Sequence, residues 1–361
     1  MNMKHKQVIA GSDKVLVNDI RRMIDEARAS VAAMVNAGLT MLYWEIGKRI
    51  HQEILKGNRA DYGKQILATL SQELSDNYGK GFNYSSLTRM VKFYESFQDE
   101  KIVATLSQQL SWSHFRELLP LEKMLQRDFY AEMCRVERWS VRTLRQKLDS
   151  MLYERTAISR KPEELIRHEI DSLRNEDQMT PDLVFRDPYF LDFLGLKDRY
   201  LEKDMEDAIL RELEQFLLEF GAGFSFVARQ KRIQVDNDDY YLDLLFFHRK
   251  LRRLVAIELK LGDFKPADKG QMELYLRWLD KYERQSGEEK PVGLILCAGK
   301  KQETIKLLEI EKSGIRVAEY MTELPPRKVL EQKLHKAIEQ ARQEFRNRIE
   351  PTAGKDDEPT C

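Results

Sequence analysis

YYLDLLFFHRKLRRLVAIELKLG, residues 240–262, decides the fold of the C-terminal half of the chain. Two apolar runs flank a basic turn, 249–252, which is the pattern of a β-hairpin. Three charges interrupt it: Asp243 in the first strand, Glu258 and Lys260 in the second. Side chains alternate along a strand, so Glu258 and Lys260 share one face while Ile257 and Leu259 take the other. A turn centred near residue 250 brings Asp243 opposite Glu258. Buried charges cost several kcal/mol each unless they are paired or hold a metal. Two neighbouring carboxylates repel unless a cation lies between them, and Asp with Glu suits a hard, oxygen-liganded ion such as Mg²⁺ or Mn²⁺.

The flanks extend the constellation. In KGQMELYLRWL, Gln271 and Tyr275 stand four residues apart and share a helical face. In MEDAILRELEQFLLEF, Glu206 falls on the apolar face of an amphipathic helix over 202–220, whereas Glu212 and Glu214 fall off it. Around these, the pattern predicts strands at 224–235, 240–248, 253–260, 292–298 and 315–321. Helices are expected at 267–284, 301–312 and 325–348. His248 is expected to face solvent at the turn.

Everything before about residue 155 reads as helical. A long helix spans 13–56, with Ser12 as its cap. Ile20, Ile24, Val31, Val35, Leu42 and Ile46 form its apolar face, and Gly38 and Gly47 are weak points. Helices at 62–76 and 85–97 flank the turn NYGKGFN and resemble a helix-turn-helix unit, with Ser85 or Ser86 capping the second. Arg89 and Lys92 lie on the polar side of that second helix. Arg138, Arg142 and Arg145, with Arg135, fall within a third of one surface if their helix is continuous, although a break near Trp139-Ser140 is also compatible with the sequence. Both sets are candidate contacts to nucleic-acid phosphates. Trp44, Trp112 and Trp139 read as core. The expected organisation is a helical domain over 13–160, a linker with short helices over 161–198, an α/β domain over 199–348 and a polar tail over 349–361.

The order Asp243, Glu258-x-Lys260, Gln271-xxx-Tyr275 on strand, strand and helix resembles the PD-(D/E)XK nuclease superfamily, in its RecB-like QxxxY branch. The wording around it is similar to the YhcG family of bacterial proteins: GFSFVARQKRI, YYLDLLFFHR, LVAIELKLGDFKPADKGQMELYL. So are YWEIGKRI, YGKQILATLS, LSWSH and WSVRTLRQKLDSMLYER further upstream. The proline of the PD element is absent; Leu242 precedes Asp243. The resemblance implies a restriction-endonuclease-like α/β domain with a mixed sheet, preceded by a mainly helical, winged-helix-like domain. It also implies a Mg²⁺-dependent endonuclease, a hydrolase of DNA phosphodiester bonds. Asp243 and Glu258 would hold the metal, with the Leu259 carbonyl. Lys260 would orient the attacking water, with Gln271, Tyr275 and Glu206 in support.

Composition narrows the alternatives. The 361 residues carry 60 basic and 60 acidic side chains, so net charge points to no partner. The distribution is uneven, near +5 over residues 1–170 and near −5 over the rest. Three cysteines without CxxC or zinc spacing fit a reducing compartment. No apolar run spans a bilayer, and the N-terminus lacks a signal-peptide pattern, which together predict a cytoplasmic protein. GNRADYGK, 57–64, fails as a phosphate loop by length and by the missing Ser/Thr. The expected partner is nucleic acid, DNA above all, with a homodimer or a protein partner as a further expectation. The alternative reading is a non-catalytic DNA-binding or assembly subunit of a restriction–modification or mobile-element system.

Overall fold

The computed structural model describes residues 11–56, 60–156, 161, 163–191, 202–221, 223–236, 238–321 and 332. The expected helix at 325–348, apart from residue 332, and the tail beyond it lie outside these, as do residues 157–160, 162 and 192–201, which include the end of the expected linker. The chain divides into two compact units, residues 1–146 and 147–361.

Every element in the described part of the first unit is helical: α1 Gly11–Lys56, α2 Ala60–Tyr78, α3 Tyr84–Ser96, α4 Glu100–Ser107, α5 Trp112–Leu118, α6 Met124–Glu137 and α7 Val141–Asp149. No β wing is found among these residues. The core forms where α3 lays Leu87 and Met90 against Ile50 and Leu67, and Phe93 packs at a tilt against Phe115 with ring centroids 4.6 Å apart. Asn83, not Ser85 or Ser86, caps α3, because its side chain accepts from the Ser86 N–H at 2.9 Å.

Gly47 is no weak point in α1. A Cβ there would lie 1.9 Å from the Met90 carbonyl oxygen, so it marks the place where α1 and α3 touch backbone to backbone. Gly47→Ala should therefore lower stability despite a helix-propensity gain of about 1 kcal/mol. Driving the helices apart costs roughly 1–3 kcal/mol or more. Urea denaturation checks this; an unchanged or raised midpoint would refute the close contact.

The lower half of α1 packs as expected, with Trp44 and Ile50 buried and the Trp44 indole donating to the Phe97 carbonyl at 2.6 Å. The upper half differs from expectation. Ile20, Ile24, Val31, Val35 and Leu42 are all exposed.

The second unit contains α8 Leu152–Arg155, α9 Glu163–Glu176, α10 Pro181–Val184, β1 Tyr189–Phe190, α11 Glu202–Arg211, α12 Leu213–Phe220, β2 Phe224–Val235, β3 Asp238–His248, β4 Arg253–Asp263, α13 Pro266–Tyr282, β5 Val292–Gly299, α14 Gln302–Leu307 and β6 Ile315–Met321. The six strands form one mixed sheet in the order β1-β6-β5-β4-β3-β2. β2, β3 and β4 run antiparallel as a meander, while β4–β5, β5–β6 and β1–β6 pair in parallel. α13 makes the crossover between β4 and β5 and buries Met272, Tyr275, Leu276 and Leu279 against Leu245, Leu254 and Ala256. The amphipathic segment 202–220 is two helices, broken at Glu212.

A buried ion cluster ties α12 to the β1 edge. Glu219 accepts from Arg155 and from the Phe190 N–H at 3.1 Å, and its other carboxylate oxygen lies 3.3 Å from the Arg186 guanidinium as an ion pair. Burial alone would raise the Glu219 pKa, but the two arginines outweigh it and hold the carboxyl ionised below its ordinary range. His248 is part of the packed hairpin and not a solvent-facing turn residue. It is 2% exposed, its Nδ1 accepts from the Leu251 N–H at 3.0 Å, and burial pushes its pKa down to about 4.

Candidate active site

The β3–β4 ladder is regular from His248↔Arg253 up to Leu244↔Ile257. The next register step places Asp243 opposite Glu258, as the turn position requires, and there the two strands open. Side chains fill the gap. The Asp243 N–H donates to Glu258 Oε1 at 3.3 Å, and the Leu259 N–H donates to Asp243 Oδ2 at 2.9 Å. Lys260 Nζ donates to Glu258 Oε2 at 3.1 Å. Asp243, Glu258 and Lys260 thus meet at one break in the sheet.

Glu258 is 3% exposed, and burial first, then the Asp243 carboxylate, pushes its pKa up to about 7. The adjacent lysine only partly offsets this. Glu206 also points inward, at 4% exposure, from the buried face that α11 forms with Met205, Ala208 and Ile209. Its pKa is likewise raised, mainly by burial, with Asp243 adding to the effect. Its Oε2 accepts from the Gln230 side-chain amide at 2.7 Å. Its Oε1 lies 2.7 Å from Arg229 Nε but out of hydrogen-bond alignment, leaving a buried carboxylate oxygen without a hydrogen bond.

The same Gln230 amide donates to Asp243 Oδ1 at 3.1 Å, so one side chain bridges the two carboxylates. The sequence reading missed this residue. Gln230 has φ +45°, in the left-handed region that an L side chain rarely adopts, just past a β-bulge between Phe226 and Ala228. The bulge and the turned backbone aim the amide into the site; period-2 alternation cannot reveal that. Backbone strain next to a cluster of carboxylates is a recognisable mark of functional sites. Removing the bridge with Gln230→Ala should lower any activity of the site about 10–100-fold, the usual effect of losing a residue that orients ligands. Unfolding at an unchanged midpoint together with unchanged activity would argue against the bridging role.

Gln271 and Tyr275 act as a pair. The Gln271 amide donates to the Tyr275 hydroxyl at 2.6 Å, and that hydroxyl donates to the Tyr241 carbonyl at 3.3 Å. They fasten α13 to β3 two residues before Asp243. Burial raises the Tyr275 pKa and keeps the phenol protonated.

Among the described residues no three metal-ligating side chains cluster tightly enough to form a cage. The donors that converge are Asp243 and Glu258, with a carboxylate oxygen of Glu206 one bridging amide away. Two carboxylates with the rest of the shell left to water and phosphate is how Mg²⁺ is usually held. A cation between these carboxylates would offset the repulsion that, after burial, raises the Glu258 pKa.

The basic candidates of the first unit are spread out. Arg89 and Lys92 are exposed on the outer side of α3. Arg138 ends α6 with φ +54°, so the helix is not continuous and the four-arginine stripe does not form. Arg135 turns to Glu132 at 2.8 Å and Arg145 to Glu117 at 2.7 Å, while Arg142 is exposed on α7.

Comparison with known proteins agrees with this geometry. Residues 182–336 match the YhcG PDDEXK nuclease domain, and residues 19–155 match the DUF1016 N-terminal domain. The chain is 34% identical over 346 residues to "Putative nuclease YhcG" of Escherichia coli (strain K12), covering 87% of this chain and 92% of that one. The chain belongs to the YhcG family. Its second unit is accordingly a PD-(D/E)XK nuclease domain, and the departure at Leu242 from the PD proline does not alter the assignment. Among solved structures, a repair endonuclease from Pyrococcus abyssi is similar at 24% identity, 36% of this chain, 50% of that chain and a TM-score of 0.24. The EndoMS–dsDNA2 complex is similar at 19% identity, 36% and 49% coverage and a TM-score of 0.27. No helix among the described residues of this YhcG-family chain is long and apolar enough to cross a membrane.

The Glu258 shift has a pH consequence. Its folded pKa lies above the ordinary carboxylate value, so its contribution to stability is complete below about pH 4.5 and is lost as pH rises through about 7. A divalent cation competes with that proton, and metal binding should release it. Mg²⁺ should therefore raise the melting temperature more at pH 8 than at pH 6, and Glu258→Gln should flatten the difference. A metal effect that does not change between those pH values would contradict a metal role for Glu258.

Proposed function

We propose that this protein is a Mg²⁺-dependent endonuclease that hydrolyses phosphodiester bonds in DNA, with Mn²⁺ as a competent substitute. The observation that carries the reading is the meeting of Asp243, Glu258 and Lys260 at the point where β3 and β4 part, with Glu258 pushed up to about 7 by burial and by Asp243. Asp243 and Glu258 hold the metal, and the Leu259 carbonyl lies on the same strand edge as the N–H that reaches Asp243. A bound divalent cation supplies Lewis-acid polarisation of the phosphate and a more acidic water. Lys260 orients the attacking water and balances charge that builds on the phosphate. Gln230 and Glu206 fix the Asp243 carboxylate, and the Gln271–Tyr275 pair fixes the helix beneath it.

The first unit serves nucleic-acid binding in this reading. Arg89 and Lys92 on α3 and, singly and not as one stripe, Arg138 and Arg142 further along contact phosphates, in keeping with the basic excess of residues 1–170. The protein works in the cytoplasm. A panel of single-stranded, duplex and branched DNA and of RNA, incubated with Mg²⁺, Mn²⁺ or EDTA, tests the reading. Cleavage of at least one DNA form with metal and none with EDTA is expected. Metal-independent cleavage, or cleavage of RNA alone, would overturn it.

A further inference from the structure

We propose that residues 17–37 of α1 form a parallel two-stranded coiled coil with a second copy of this chain. From residue 15 to residue 36 nearly every side chain of α1 is exposed, Val31 at 55% and Met34 at 63%. A helical arm rich in Val and Ile gains little from propensity, and in proteins most helical stability comes from packing an amphipathic face. Burial of an apolar face against a partner is what stabilises such a helix.

The sequence of the arm specifies the partner. Val17, Ile24 and Val31 occupy position a of three successive heptads, and Ile20, Ala27 and Met34 occupy position d. β-Branched residues at a are the choice of two-stranded coils, and the small Ala27 at d lets two helices approach closely. Asp19, Arg22, Asp25 and Glu26 lie on the opposite, outer face at b, c and f. There Arg22 lies 3.2 Å from Asp19 and 3.9 Å from Glu26 within the same helix.

The stripe is separate from the face that α1 uses inside its own unit. Thr40, Trp44, Gly47 and Ile50 are buried there, and at 100° per residue they lie roughly opposite the continued a positions Gly38 and Glu45, both exposed. The stripe therefore ends where the domain packing begins. Charge also sets the direction. Arg21 and Arg28 fall at e. An antiparallel pair would set arginine against arginine, whereas a parallel pair lays each along the apolar g residues Leu16 and Met23.

Two chains bring two sites into one assembly, one for each strand of a duplex; that clause alone rests on the nuclease reading. The test does not depend on cleavage. Light scattering of the full chain should give twice the 42.6 kDa chain mass. Ile24→Lys should halve it, and Glu26→Lys, on the outer face, should leave it unchanged. With Cys361→Ser, oxidation of Ile24→Cys should give a covalent dimer and Glu26→Cys should not. A monomeric wild type, or a dimer indifferent to Ile24→Lys, would overturn the pairing. A dimer that needs Ile24 yet forms no Ile24→Cys bridge would overturn the parallel arrangement.

Discussion

Asp243→Asn is expected to abolish both metal binding and cleavage, while Lys260→Ala abolishes cleavage and leaves metal binding in place. The difference follows from the chemistry of the two side chains. Asp243 supplies one of the two carboxylates that converge among the described residues, and its amide replacement removes the negative charge that opposes Glu258 across the strand gap. With Asn at 243, a cation held there would lose a ligand, and the Glu258 pKa should also fall because one of its two raising influences is gone. Lys260 is no ligand; its ammonium lies 3.1 Å from Glu258 Oε2 and is partly exposed at the mouth of the gap. Losing one such charge-stabilising group costs roughly 10²–10³-fold in rate. Thermal shift with Mn²⁺ reads binding, and plasmid relaxation reads cleavage. Equal activity of wild type and Lys260→Ala would remove the lysine from the site.

The largest stability effect should come from a residue far from the chemistry. Glu219 is the carboxylate between two buried guanidiniums, Arg155 at 0% exposure and Arg186 at 6%. Glu219→Gln preserves shape and removes the charge. It strands two arginines that cannot reach water, and breaking a buried ion pair in this way costs about 3–5 kcal/mol. Against a typical total of roughly 5–15 kcal/mol that is a large fraction. Urea denaturation of the variant should show it as a much lower midpoint. Glu309→Gln is the control, because its pair with Lys312 is exposed on both sides and its loss should be undetectable. A Glu219→Gln midpoint equal to wild type would mean that the cluster contributes nothing to holding α12 on the β1 edge.

Much of this was legible beforehand, for reasons that particular residues make clear. The 249–252 turn sets the hairpin register by symmetry, so the Asp243–Glu258 pairing could be counted from it. Glu206 was visible because helical spacing placed a charge on an apolar face. What stayed hidden depends on backbone departures from regular periods. Gln230 enters the site through a bulge and a left-handed φ, and Gly47 is required by a neighbour forty-three positions away in the chain. β1 has only two residues and joins the sheet through β6, a parallel pairing across more than a hundred residues that local pattern cannot signal. The arginine stripe failed for the complementary reason, since it assumed a helix continuous through Arg138. The apolar face of upper α1 is legible in the sequence as a face, but what covers it is not. Periodicity reports that a face is to be covered, not by which chain.

In the proposed site Asp243 and Glu258 together hold a divalent cation. Crystals of the protein grown with Mn²⁺ and measured at the manganese absorption edge should show one anomalous peak in contact with both carboxylates at the opening between β3 and β4, lost in Asp243→Asn. A peak elsewhere in the chain with none at these two residues, at saturating Mn²⁺ and pH 8, would contradict the proposed site.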